Sequence, residues 1–169
     1  MQIDSPTIRR LRDMLLKEAG LPPHGNGEVR FDAEAPETQA LVLRVSPMCE
    51  VLYLVMTADG ESDARELQTI RGAIRSLTGD GLPSETIGSM LAQFSRAAVA
   101  QGREQRLMQV ATQLSADRED AEAALALAAA VSVADDLVDP SEESLIVELG
   151  EWLGISPRRA AVILDTRMS

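Results

Sequence analysis

A core assembled almost without aromatic rings has to be made of elements that pack closely, and that is the task set by this chain. Its 169 residues include one Trp, one Tyr and two Phe, yet 45% of them are hydrophobic. The interior must therefore be filled by Leu, Ile, Val, Met and Ala. Side chains of that kind suit helix against helix, whereas a β-sandwich draws on aromatic and β-branched residues. The apolar spacing agrees: Leu67, Ile70, Ile74 and Leu77 follow one another at intervals of 3, 4 and 3, a single helical stripe. No stretch alternates at period two for long enough to predict a strand. The expected class is all-α, a single compact bundle of about eight helices.

Punctuation divides the chain. Ser5-Pro6 has the form of an N-cap followed by the favoured first helical position. The helix it opens carries Ile8, Leu11 and Leu15 on one face, with Arg9, Arg10, Arg12 and Lys17 beside them, and runs to Gly20. Such a basic amphipathic helix either docks on the acidic body of its own domain or lies on a membrane surface. Residues 20–36 are rich in Gly and Pro and read as a loop, which contains the single histidine, His24. Helices are predicted from Glu37 onward, with a kink or a fresh start at Ser46-Pro47. Further helices are expected over residues 63–78, from Pro83-Ser84 to Ala100, and from Arg103 to Leu114. The stretch from Asp120 to Asp135 has small residues on nearly every face, as a central helix would. A helix from Pro140 to Leu153 and a last one opened by Ser156-Pro157 complete the order. The division is thus residues 1–36, a helix and a loop, and residues 37–169, the helical domain.

Charge narrows the partners. With 16 basic and 27 acidic residues the formal net charge is −11, which repels a phosphate backbone and disfavours nucleic acid. The acid is concentrated: eleven Asp or Glu lie between Asp117 and Glu151 against one base, Arg118. A protein partner with a basic surface fits this segment. One cysteine, Cys49, cannot form an internal disulfide, and among Val51, Leu52 and Leu54 it reads as a small core residue. The longest apolar runs, around Val51 to Met56 and Ala123 to Ala134, fall short of the roughly 20 residues of a membrane span. No secretory signal opens the chain, so the expected location is the cytoplasm.

The most informative pattern is a repeat. LVMTADGESDARELQTI (residues 54–70) and AVSVADDLVDPSEESLIVEL (residues 130–149) align on Ala58-Asp59 and Ala134-Asp135. They share Asp59, Asp63 and Glu66 in the first copy with Asp135, Asp139 and Glu142 in the second, a constant shift of 76. Each copy follows an apolar helix and opens another, so the domain contains two pseudo-symmetric helix–loop–helix units. An ADG…D…E loop opening a helix and repeated once in an all-helical chain resembles the TerB-like tellurite-resistance family, over roughly residues 37–165. Asp136 in place of Gly60, and the additional Glu143, depart from that pattern in the second copy. The resemblance implies a compact helical module, an acidic metal-binding site made by these loops, and a role in metal, tellurite or envelope stress.

The residues themselves leave two readings open. Asp63 with Glu66, and Asp139 with Glu142, are spaced as capping boxes that need no metal. Asp59 and Asp135 each end a helix, where the dipole disfavours negative charge, and capping does not account for them. If the units pack about a pseudo-twofold axis, Asp59, Glu66, Asp135 and Glu142 would repel one another unless a hard divalent cation, calcium or magnesium, were held between them. The ligand spacing of an EF-hand is absent, as are Cys/His metal spacings, a GxSxG elbow and a phosphate loop. The chain is expected to act by binding and not by catalysis. A purely structural interaction domain is the alternative, and a hydrolase using carboxylate-held metal is a third reading.

Overall fold

The computed structural model describes residues 6–18, 36–58, 64–134 and 140–165, and their regular structure is entirely helical. The helices are α1 (Pro6–Glu18), α2 (Pro36–Met56), α3 (Ala64–Leu77), α4 (Ser84–Gln101), α5 (Arg103–Leu114), α6 (Arg118–Ala134), α7 (Pro140–Trp152) and α8 (Pro157–Asp165). The class and the count match the expectation from the sequence. Four of the eight open on a proline, whose fixed φ suits the first turn and whose missing N–H costs nothing there.

Two helices make the centre. Every residue of α2 from Met48 to Met56 is buried, and α2 touches α1, α3, α4, α5, α6 and α7. Beside it, α6 buries Ala121, Leu125, Ala128, Val131 and most of the residues between them. Small side chains let these helices approach closely, which is how the core closes with so few rings. The aromatic contact it does contain pairs Tyr53 with Phe94, ring centroids 6.0 Å apart.

Pro47 does not start a fresh helix: α2 runs through it as one element. The carbonyl that loses its donor belongs to Leu43, four residues earlier, which is 77% exposed, so water can replace the missing N–H. At 21 residues α2 is long and apolar enough to cross a bilayer by length and composition, but most of its apolar part is buried inside the bundle.

Contacts fix the directions of the helices. Glu50 meets Arg106 and Thr57 meets Arg103, so α2 and α5 are antiparallel. The start of α5 shares a cleft with Ser144 and Leu145, while Ser115 at its end lies against Gly154, so α5 and α7 run in the same sense. Arg44 meets Asp120 at 2.6 Å, joining α2 to the first turn of α6. Those two residues are themselves 76 positions apart.

The repeat is visible in the backbone. Ala64 and Pro140, the first residues of α3 and α7, are 76 apart. Both helices also end alike. Asp80 N–H donates to Arg75 O (2.9 Å) and Gly79 N–H to Ser76 O (3.4 Å); Ile155 N–H donates to Gly150 O (3.0 Å) and Gly154 N–H to Glu151 O (3.0 Å). Each is a Schellman motif, closed by a glycine at φ 59° (Gly79) or 72° (Gly154).

The first helix docks on this body. Ile8, Leu11, Leu15 and Leu16 are buried against α2, α3 and α6. The apolar face that a membrane surface would need is covered by the bundle. The docking contact is apolar, and Arg12 pairs with its neighbour Asp13 at 3.0 Å.

Candidate functional site

At the end of the bundle where α2 finishes, a cleft of about 400 Å3 opens between α2, α5 and α7. Leu54, Leu107 and Leu145 give it apolar walls, and Arg103, Glu104, Ser144 and Glu148 give it polar ones. Ala58, the residue before Asp59, also lines it. Ser144 stands four residues after the start of α7, the helix that follows the second acidic segment. The described residues flanking the two acidic segments therefore share one end of the molecule, although 86 positions separate Ala58 from Ser144.

Arg103 is held in place at this mouth. Gly102, at φ 85°, breaks the chain between α4 and α5, so that Arg103 opens a new helix beside the end of α2. Its guanidinium donates to Thr57 Oγ1 and lies 5.9 Å from the centroid of the Tyr53 ring. Thr57 Oγ1 in turn donates to Tyr53 O at 2.7 Å. One helical turn deeper, Arg106 grips Glu50 through Nε (2.6 Å) and Nη2 (3.0 Å). Glu50 is only 5% exposed, and its hydrogen bond raises the pKa of Arg106 further. This pair tethers α5 to the central helix just below the cleft.

The four proposed metal ligands fare differently. Glu66 is in the first turn of α3, half-buried and engaged in an interaction. Glu142 belongs to α7, with its side chain outside the described residues. Asp59 and Asp135 lie outside the described residues, as do Asp63, Asp139 and His24. Among the described residues no three of Asp, Glu, Cys and His gather as a metal ion would require. Cys49 is fully buried in α2, where desolvation pushes its thiol up to about 12, so it is a core residue and not a ligand or nucleophile.

Sequence reasoning did not single out Arg103, Glu104 or Glu148. Nothing in their local pattern marks them, because α2, α5 and α7 bring them together from distant parts of the chain.

Residues 47–164 match the TerB family, described as tellurite resistance protein TerB. No curated protein matches the chain, and no solved structure does. The match covers both helix–loop–helix units and the cleft between them, and on that basis the chain belongs to the TerB family.

Proposed function

We propose that this protein is a TerB-type binding module whose two acidic segments hold a divalent cation, calcium or magnesium, with Asp59, Glu66, Asp135 and Glu142 as its ligands. The setting would be a response to metal, tellurite or envelope stress, and the action is binding without turnover. One observation carries this reading: Ala58 and Ser144, which flank the two acidic segments, line a single cleft. Carboxylates delivered to one place from two symmetric units repel, and a hard cation relieves that repulsion.

Thermal unfolding followed by Trp152 emission tests it. Trp152 is half-buried and packs on the core, so its environment changes when the domain opens. A cation that binds only the folded state adds RT ln(1 + [L]/Kd), about 2.7 kcal/mol at a hundredfold excess over Kd. Millimolar calcium, magnesium or manganese should raise the Tm of the parent and raise that of Asp59→Asn/Asp135→Asn by less. No shift with any of the three ions would sink the reading.

The cleft itself supports a second reading, in which the domain receives a protein segment. Its leucine walls accept an apolar side chain, and Glu104 and Glu148 at its edge accept a basic one. In that case the shared acids cap helices, and the metal titration is flat.

A further inference from the structure

At the other end of the bundle a second cleft, about 340 Å3, is enclosed by the α5–α6 turn, the first turns of α6, the end of α7 and the start of α8. Its polar residues are Ser115, Arg118, Glu122, Ser156 and Arg159. Two guanidinium groups converge there on one carboxylate. Arg159 reaches Glu122 through Nε (2.8 Å) and Nη2 (3.0 Å), and Arg118 reaches it through Nε (3.3 Å). The hydrogen bonds from Arg159, and then from Arg118, hold Glu122 below its ordinary pKa.

We propose that this cleft is a binding site for a phosphate-like oxyanion, gripped by Arg159 and Arg118 in the place that Glu122 occupies here. Charge comes first. Among the side chains that line the cleft two are cationic and one is anionic. Arg118 is also the one base in the stretch from Asp117 to Glu151, where eleven acids lie.

Donor geometry comes second. A guanidinium offers five N–H donors in a fixed fork that matches carboxylate and phosphate oxygens. Glu122 takes two donors from Arg159 and one from Arg118, which leaves several for a ligand with more oxygens than a carboxylate has. Ser156 Oγ accepts the Arg159 backbone N–H at 3.3 Å and keeps its own hydroxyl hydrogen for donation. The first turn of α8 adds the positive end of a helix dipole. The amides of α6 do not take part, because Asp117 Oδ1 already accepts from Glu119 N–H (2.9 Å) and Asp120 N–H (3.2 Å).

Access comes third. The Arg118 side chain is 82% exposed and that of Arg159 46%, so an anion can enter without unfolding anything. A doubly charged oxyanion competes well with a singly charged internal carboxylate for two guanidiniums.

The test is a titration of the full chain with inorganic phosphate, followed by the Nε–H resonances of its arginines in NMR spectra at constant ionic strength. Arg118 and Arg159 should shift saturably while Arg10, on the exposed face of α1, stays still. Arg159→Gln should weaken binding about tenfold, the worth of one charge-assisted contact. Glu122→Gln should tighten binding, because it removes the internal competitor. Glu122→Gln leaves both guanidiniums in place, so it tests the site even if Arg159→Gln loosens α8. A soluble phosphomonoester and vesicles of phosphatidylglycerol distinguish the source. Binding by vesicles alone, dependent on Arg159, assigns the site to a lipid headgroup. Unsaturable shifts spread over all arginines, or no tightening in Glu122→Gln, would overturn the proposal.

Discussion

Burial decides what single residues in this chain can do. Cys49 is the plainest case: its thiol is pushed up to about 12 by desolvation, so thiolate is almost absent at neutral pH. Native protein should react with iodoacetamide at pH 8 on the order of a thousandfold more slowly than the urea-unfolded chain. Mass spectrometry of the alkylated fraction over time measures this. Labelling at comparable rates in both states would mean that α2 opens locally. Glu50 shows the other side of burial. A carboxylate at 5% exposure is tolerable because Arg106 meets it with two hydrogen bonds. That pairing spans 56 positions, and no local pattern announced it. Cys49 was readable as core from its apolar neighbours; Arg106 and Arg103 were not, because their roles are set by helices that meet only after folding.

At the scale of elements, punctuation and periodicity carried most of the information. Prolines at Pro6, Pro140 and Pro157, and breaks at Gly79 and Gly154, stand where the helices begin and end. Pro47 does not restart a helix as its Ser-Pro form suggested, because its cost falls on a carbonyl open to water. The paired Schellman motifs, 75 positions apart and so one residue out of register with the acidic repeat, permit a comparison inside one molecule. Both glycines sit in the left-handed region, so alanine costs about 1–2 kcal/mol at either. At Gly154 a Cβ meets nothing closer than Ser115 Cβ at 3.9 Å, whereas at Gly79 it comes within 3.0 Å of Leu16 Cδ1 and 3.3 Å of Arg12 Cδ. Gly79→Ala should therefore destabilise more than Gly154→Ala in urea denaturation, by about 1 kcal/mol of overpacking. The excess should vanish when residues 1–18 are deleted, since the clash is with α1. An excess that persists in the truncated chain would show that α1 is not its cause.

The whole molecule depends on α1 more than the family match suggests, because that match begins at residue 47. Ile8, Leu11, Leu15 and Leu16 are buried, and removing them uncovers matching surface on α2, α3 and α6. Exposing those four side chains returns apolar area to water, which is unfavourable by about 25 cal/mol per Å2. Deleting residues 1–18 should lower the Tm, by about 2–4 °C for each kcal/mol of stability lost, measured by circular dichroism at 222 nm. An unchanged Tm would mean that the docked helix contributes nothing to the fold.

The central helix has a last consequence, for the chain before it is folded. During synthesis α2 emerges well ahead of α5, α6 and α7, the helices that will cover it. For that interval a segment apolar enough to enter a bilayer stands alone. Arg44 and Glu50, both paired in the finished protein, are then bare charges in its middle. A charge at the centre of an inserting helix costs about 2.5–3.5 kcal/mol on translocon scales. The unpaired charges of Arg44 and Glu50 thus make insertion of this segment unfavourable until Asp120 and Arg106 arrive to meet them.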